Sequence, residues 1–391
     1  MRAYFGVCGV GLGHVGRCIP IAKKLRSMGN QIVFSTYLEA RDFVKREKFP
    51  LYNAPPISFA TRPDGGVDFR RTTAYPGIFS VAIFLQQLNA EIGFMQSFQP
   101  DFVISDSRVS TLVAAKILDI PSVTLLNIYK VTIPRERRFL NLARIADGGV
   151  LTIIGKVWTL GEKILIPDFP HPYTLSSANL EIPPSRKEKV KLIGPILPTQ
   201  SKDLPSSLTL RKKMGYDDRP LIFVPISGAP QEREYFTKVI QKVLQLLPDN
   251  YQVVVSLGQP NSGIKAYRQK NVLIYPWITN RFEHLKACDL VISRAGLGTL
   301  SQALCYGKPL LLVPTPSQTE QRNNAQRARE LGVAKILNQR EIDYPHVYAA
   351  ITEMLDTSHY INRTKEIKQN VEMYDATDTM VKMIMSKGKL L

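Results

Sequence analysis

The stretch that most constrains the fold is Gly9-Val10-Gly11-Leu12-Gly13-His14. It follows an apolar run, residues 4–8, that predicts a buried strand, and it precedes apolar residues at helical spacing. Glycines at alternate positions allow a tight turn and a close approach to the backbone. His14 would start the first helix, at the carboxyl edge of a sheet, where open α/β sheets bind ligands. The spacing is not that of the dinucleotide fingerprint G-x-G-x-x-G, so a purely structural turn remains an equal alternative.

Strand and helix patterns alternate through the first half of the chain, which is typical of a parallel, doubly wound sheet. One strand pattern, residues 101–106, ends in the carboxylate of Asp106. Residues 78–98 form a mostly apolar segment with few charges, which predicts a helix. We favour a buried helix; the alternative is a helix whose outer face meets a lipid or an apolar acceptor.

The second half of the chain repeats this organisation after a stretch rich in proline, serine and threonine. We place the boundary near residues 196–206, with a first domain over 1–198 and a second over 199–375. A C-terminal helix, 376–391, is expected to pack on the first domain. The sequence therefore predicts an α/β protein with two Rossmann-like, doubly wound domains that face a cleft.

Charge limits the partners that suit this chain. The 391 residues include 51 Lys and Arg against 33 Asp and Glu, a net charge of +18, which favours a nucleic acid, a phosphorylated ligand or an acidic membrane. Residues 134–163 mix basic and bulky apolar side chains with Trp158, a composition that suits an anionic membrane surface. A helical excursion packed on the sheet is the alternative. We find no nucleic-acid-binding motif and expect no nucleic acid partner.

The expected location is intracellular. The four cysteines form no C-x-x-C pair and are expected to be reduced. The sequence enters its first strand directly, without a signal peptide pattern, and has no apolar run near the roughly 18–20 residues that span a bilayer. We find no D-x-D motif or His/Cys cluster that predicts a metal site.

Three stretches of the second half could bind a ligand at the cleft. Ser227-Gly228 ends its first strand, and Gly296-Leu297-Gly298-Thr299 opens a helix; each offers backbone N–H groups to an anion such as a pyrophosphate. Glu320-Gln321 starts a later helix and could bind hydroxyl groups. Taken alone, each feature is better explained by stabilisation of a helix start, but their order and spacing favour a binding function.

With Ser293-Arg294-Ala295, Gly307-Lys308-Pro309 and Asn324-Ala325, these stretches resemble the GT-B fold glycosyltransferases over nearly the whole chain. The similarity is to the MurG-like N-acetylglucosaminyltransferases and the UDP-glycosyltransferases. The resemblance implies that the second domain holds a nucleotide-sugar donor and the first an acceptor. It implies His14 as general base, oriented by Asp106. The donor-binding residues that it implies are Ser227, Gly228, Ile278, Arg294, Gly296, Leu297, Gly298, Thr299, Gln302, Glu320 and Gln321.

In this resemblance, the backbone of Ile278 meets the base, and Gln302 stands where a glutamate usually binds the ribose. The implied activity is an inverting, metal-independent transfer from a UDP-sugar, with N-acetylglucosamine as first choice, and no cofactor besides the donor. The acceptor would be lipid-linked, of the polyprenyl type, at the cytoplasmic face of a membrane. The alternatives are a GT-B UDP-sugar epimerase, which would not need residues 134–163, and a nucleic-acid-binding protein suggested by charge alone.

Overall fold

The computed structural model describes residues 1–57, 77–129, 155–316 and 318–387, with the backbone alone for 77–80. The basic and apolar segment predicted over residues 134–163 therefore lies outside the described residues as far as residue 154. Within the described ranges the chain folds into two α/β domains, each built on a seven-stranded sheet. This confirms the predicted fold class.

The first domain has a wholly parallel sheet with the strand order β3-β2-β1-β4-β5-β6-β7. Its strands are nearly continuous apolar runs, as a sheet covered on both faces requires. The strands are β1 (Arg2–Val7), β2 (Gln31–Thr36), β3 (Leu51–Asn53), β4 (Phe102–Asp106), β5 (Ser122–Leu125), β6 (Ile164–Ile166) and β7 (Val190–Leu192). The helices are α1 (Gly13–Ser27), α2 (Leu38–Arg46), α3 (Gly77–Phe98), α4 (Val109–Ile117) and α5 (Ser177–Leu180).

The second domain repeats this topology, with the order β10-β11-β9-β8-β12-β13-β14 and one antiparallel pair, β10 with β11. Its strands are β8 (Leu221–Pro225), β9 (Gln252–Ser256), β10 (Tyr267–Gln269), β11 (Val272–Tyr275), β12 (Leu290–Ser293), β13 (Leu310–Leu312) and β14 (Ala334–Ile336). Its helices are α6 (Ser207–Met214), α7 (Pro230–Leu244), α8 (Arg281–Ala287), α9 (Leu297–Cys305), α10 (Thr319–Glu330), α11 (Tyr344–Asp356) and α12 (Ser358–Val371).

The chain crosses between the domains twice. After the first crossing, near Gly194, it builds the second sheet; near Tyr374 it returns, and α13 (Ala376–Met385) packs on α1 in the core of the first domain. Lys24 of α1 pairs with Asp378 of α13 at 2.8 Å. The two crossings touch, because a Cβ built on Gly194, whose φ is +82°, would lie 2.6 Å from the Cβ of Tyr374.

Helix α3 packs on the core through Met95 and its neighbours, but it also buries polar side chains and leaves two apolar residues exposed. Its buried side chains include Gln87 and Glu91, whereas Val81 and Leu85 are 57% and 55% exposed. The helix exists as predicted, but the expectation that it is buried is wrong for this outer face. The sequence is apolar around the whole helix, so its pattern could not indicate which face turns inward.

A buried polar cluster explains the orientation of α3. The Glu91 carboxylate pairs with Arg108 at 2.8 Å and accepts hydrogen bonds from the hydroxyls of Tyr4 and Thr111, each at 3.0 Å, and from that of Ser35 at 2.5 Å. A buried charge without partners would cost several kcal/mol, so α3 turns Glu91 toward these groups. Val81 and Leu85, nearer the start of the helix, are left facing outward.

Candidate active site

The turn after β1 requires glycine at two positions. A Cβ on Gly9 would lie 2.1 Å from the carbonyl oxygen of Tyr37. Gly11 has a φ of +70°, and a Cβ there would lie 3.4 Å from the carbonyl oxygen of Gly228 in the second domain. The glycine turns of the two domains therefore approach each other across the cleft.

His14 and Asp106, both predicted from the sequence, are in contact. His14 lies in the first turn of α1, and its Nδ1 is 2.7 Å from Oδ1 of Asp106. The strands β1 and β4 are parallel neighbours with Val7 opposite Asp106, so the chain leaves both at the same edge of the sheet. Nδ1 then donates to the carboxylate, which leaves the lone pair on Nε2. The His14 side chain is 26% exposed and Asp106 is fully buried.

Arg17 binds the same carboxylate, a contact that the sequence analysis missed. Its Nε donates to Oδ2 of Asp106 at 2.6 Å and its Nη2 to Oδ1 at 2.5 Å, and Nη1 donates to the side-chain oxygen of Asn127. Burial alone would raise the pKa of Asp106, but the charges of Arg17 and His14 hold this pKa well below its usual range. The available signal was the spacing of His14 and Arg17, which places both on one face of α1.

Two glycine turns of the second domain lie side by side. They follow β8 and β12, adjacent strands at which the strand order reverses, the position where open α/β sheets bind ligands. Gly228 has a φ of +115°, and Gly296 caps α9 without a side-chain hydrogen bond. A Cβ on Gly296 or Gly298 would meet no atom within 4 Å. The first amides of α9 are thus open to an anionic group.

The other residues predicted near these turns differ in how they are placed. Ser227 is exposed and Thr299 is partly buried, so both hydroxyls can be reached. Leu297 and Ile278 have side chains in the core, which leaves only their backbone for a ligand. Gln302, partly buried on α9, accepts a hydrogen bond from Arg281 at 2.9 Å. Burial lowers the pKa of Arg281 to about 10.

The side chains of Arg294 and Gln321 point into the interior of the second domain. The guanidinium of Arg294 is 1% exposed, stacks on Phe236 at 4.6 Å and donates to Thr315 at 3.0 Å. Both ends of the Gln321 amide are engaged, since Oε1 accepts from the Thr315 amide at 2.7 Å and Nε2 donates to Glu232 at 2.8 Å. These two side chains fix the loop between β13 and α10.

Glu320 faces the first domain from the start of α10. Burial raises the pKa of its carboxyl, and the charges of His14 and Arg17 oppose this shift. Because both of these groups belong to the first domain, the Glu320 carboxyl lies within electrostatic range of the His14–Asp106 pair.

Helix α2 holds the two domains together. The guanidinium of Arg233, on α7, forms an ion pair with both carboxylate oxygens of Glu39 and donates to the carbonyl of Gly228 at 3.1 Å. Phe43 and Arg46 pack on Trp277, with centroid distances of 5.9 and 4.9 Å. No pattern in the sequence indicated these contacts, which join α2 to the Gly228 turn and to the segment before Ile278.

The cleft thus brings a histidine–carboxylate pair opposite two open glycine turns and a carboxylate. Among the residues that the structure describes, no three His, Cys, Asp or Glu side chains are grouped so as to hold a metal ion. The same described ranges contain no helix long and apolar enough to cross a membrane.

Comparison with known proteins finds glycosyltransferases throughout. Residues 222–380 match the glycosyltransferase family 28 C-terminal domain. An uncharacterized glycosyltransferase of Methanosarcina mazei is 27% identical over 378 residues, 94% of each chain. The UDP-N-acetylglucosamine–N-acetylmuramyl-(pentapeptide) pyrophosphoryl-undecaprenol N-acetylglucosamine transferase of Bacillus cytotoxicus is 30% identical over 178 residues, 43% of this chain and 48% of that one. The crystal structure of the glycotransferase of kitacinnamycin superposes with a TM-score of 0.66 at 15% identity, over 99% of this chain and 98% of that one.

Proposed function

We propose that this chain, a glycosyltransferase with the GT-B fold, transfers a sugar from a UDP-sugar to an acceptor hydroxyl with His14 as the general base. The observation that carries the proposal is the 2.7 Å contact of His14 with buried Asp106, opposite the open glycine turns of the second domain. The donor would bind the second domain and the acceptor the first.

The proposed chemistry needs a base that is neutral near pH 7. The acceptor hydroxyl must lose its proton as its oxygen attacks the anomeric carbon, and an imidazole with a free Nε2 lone pair suits this step. Asp106 would hold the ring orientation and stabilise the imidazolium that forms. A single displacement of this kind inverts the anomeric configuration.

The leaving nucleoside diphosphate gains negative charge during the reaction. The amides at the start of α9 and the turn at Ser227-Gly228 are the groups that would stabilise this charge. Glu320 would accept hydrogen bonds from hydroxyls of the donor sugar. Gln321 and Arg294 would act indirectly, since their polar groups hold the loop that precedes Glu320.

A lipid-linked acceptor at the cytoplasmic face of a membrane is the acceptor we propose. The exposed apolar residues of α3 and the net charge of +18 support this choice, because both favour an anionic lipid surface. The name of the Bacillus cytotoxicus relative, which matches 43% of this chain, points to N-acetylglucosamine as the sugar and to a pyrophosphoryl-polyprenol acceptor.

The base assignment is tested with His14→Ala. Donor binding is measured as the thermal shift with UDP, GDP, dTDP and their sugars, and turnover as UDP release from UDP-N-acetylglucosamine with a polyprenyl-diphosphate-linked acceptor. We expect the variant to keep the thermal shift and to lose about 10²–10⁴-fold in kcat. The matched control is His346→Ala, since exposed His346 makes the same 2.7 Å contact with a carboxylate, that of Asp343, in the second domain.

Wild-type turnover in His14→Ala would refute the base assignment. The absence of a thermal shift with every nucleotide, at concentrations far above a plausible dissociation constant, would refute the donor site. A thermal shift with GDP or dTDP alone would leave the fold assignment unchanged, but it would identify a donor nucleotide other than UDP.

The membrane surface is tested by flotation with vesicles containing anionic lipid, at low and high salt. The double substitution Val81→Ser and Leu85→Ser should weaken binding, because it removes apolar contact from the exposed face of α3 without changing the net charge. The matched control is Leu208→Ser with Leu246→Ser, which removes equally exposed leucines, 55% and 57%, from the second domain. Equal binding of both double variants would contradict the proposed role of α3.

A further inference from the structure

The Asp106 carboxylate is shared by two nitrogen donors that lie close to each other. His14 Nδ1 and Arg17 Nη2 both approach Oδ1, at 2.7 and 2.5 Å, and the two nitrogens are only 3.2 Å apart. Arg17 Nε holds Oδ2 at 2.6 Å, so the guanidinium fork occupies both oxygens. The acid beside the proposed base is therefore already paired with a permanent cation.

We infer that Arg17 is a positioning residue of this site, which fixes the Asp106 carboxylate against His14 and keeps the imidazole in its neutral, proton-accepting form. This inference rests on the proposed function of His14 as the base. It assigns a role to a charged side chain of α1 that touches the His14–Asp106 pair and that the chemistry above does not use.

The first part of the role is geometric. A carboxylate that is held only by an imidazole can rotate about its Cβ–Cγ bond, whereas the two parallel bonds of a guanidinium fork fix its plane. The remaining guanidinium nitrogen, Nη1, donates a hydrogen bond to the side-chain oxygen of Asn127, which follows β5. Oδ1 therefore stays directed at Nδ1 of His14, and the tautomer with a free Nε2 is selected.

The second part of the role is electrostatic. A lone carboxylate in contact with an imidazole favours the imidazolium, which cannot accept a proton. A guanidinium 3.2 Å from Nδ1 opposes that second positive charge. With Arg17 present, the carboxylate is neutralised before His14 is protonated.

Among the described residues, the other titratable groups around the pair do not supply a competing cation. On α1, the Cys18 thiol donates to Oδ2 at 3.3 Å, and burial raises its pKa, so it is neutral. Burial also raises the pKa of the Cys8 thiol at the end of β1. From the second domain, Glu320 can add only negative charge.

The test follows the protonation of His14 directly and needs no substrate. The protein has five histidines, so two-dimensional ¹H–¹⁵N spectra of ¹⁵N-histidine-labelled protein are readily resolved, and the His14→Ala spectrum assigns the signal. The spectra report both the tautomer and the pH midpoint of protonation. The variants are Arg17→Gln, Arg17→Lys and Asp106→Asn.

We expect Arg17→Gln to raise the midpoint of His14 by about 1–2 pH units and to mix the tautomers, and Arg17→Lys to recover most of the shift. Asp106→Asn, which leaves Arg17 alone beside the ring, should move the midpoint well below about 6.5, the value of a free histidine. The acid limb of the kcat/KM profile should move in the same directions.

A midpoint in folded Arg17→Gln within about 0.3 pH units of wild type would overturn the inference, because a purely structural arginine leaves the titration unchanged. If Arg17→Gln does not fold, a midpoint of Asp106→Asn near 6.5 overturns it instead. Either result leaves the proposed function standing. Full activity of His14→Ala would remove the proposed base whatever Arg17 does.

Discussion

Replacing Glu91 or Arg108 should destabilise the first domain by unequal amounts, because the two partners keep different hydrogen bonds when the other is removed. Both side chains are buried, with exposures of 0% and 2%, and their ion pair is 2.8 Å long. We consider Glu91→Gln, Arg108→Met and the double substitution. All three keep approximate side-chain size and remove charge.

Glu91→Gln leaves a buried guanidinium without a counter-charge. Its remaining partners are uncharged oxygens, among them the Ser35 carbonyl at 3.0 Å, and its Nε has no hydrogen-bond partner among the residues that the structure describes. We expect a loss of about 3–5 kcal/mol in the free energy of unfolding. Arg108→Met leaves a carboxylate that still accepts from three hydroxyls, those of Tyr4, Ser35 and Thr111, so we expect a smaller loss of about 1–3 kcal/mol.

The assay is urea unfolding followed by the fluorescence of Trp158, which is buried in the first domain, in a Trp277→Phe background. The double variant should lose clearly less than the sum of the two single losses, since neither charge is then left alone. The control is Glu234→Gln, which breaks the exposed pair with Lys238 and should change stability by less than about 0.5 kcal/mol. Equal losses in the two single variants, or additive losses in the double variant, would refute this reasoning.

Three further predictions concern the site and its surroundings. Gly228→Ala should abolish the thermal shift by nucleotides, because φ is +115° and the new Cβ would lie 2.5 Å from the Glu232 carboxylate; an unchanged shift contradicts this. Burial raises the pKa of the Cys288 and Cys305 thiols to about 12, so iodoacetamide at pH 8 should leave both unmodified in native protein, as peptide mass mapping would show. Asp106→Asn should lower the free energy of unfolding at pH 7, and its difference from wild type should shrink in acid denaturation series as the pH falls below about 4, because the native pKa lies below the unfolded value. If the difference in the free energy of unfolding between Asp106→Asn and wild type did not change with pH, the last prediction would be contradicted.

The parts of the site that could be predicted are those fixed by strand ends. The turn at Gly9 to Gly13 needs residues without a Cβ, and this need is visible in the sequence. The resemblance implied that Asp106 orients His14, and the structure gives the physical reason for their proximity: Asp106 ends an apolar strand, and adjacent parallel strands bring their carboxyl ends to one edge. These inferences depend on the backbone alone.

The parts that could not be predicted depend on side-chain orientation or on very short elements. Arg17 could have faced solvent from the same helix, and only the burial of Asp106 turns it inward. Gln321 occupies the expected position, but its amide is used within the domain, a choice that no pattern of residues determines. The strands β6 and β10 are three residues long and show no period-two pattern.

The contact of Gly194 with Tyr374 has a consequence for how the two halves of the molecule can move. The outgoing and returning segments of the chain lie side by side. We therefore expect them to act as one hinge and to define a single rotation axis between the two domains. We expect rotation about this axis to separate the Gly228 turn from the Gly11 turn. Sliding of one domain along the other would require the two chain segments to lose their contact. The contact between this glycine and this tyrosine lies outside the cleft, and neither residue touches a substrate in the proposed reaction. It nevertheless determines which groups of the two domains face each other when the cleft closes.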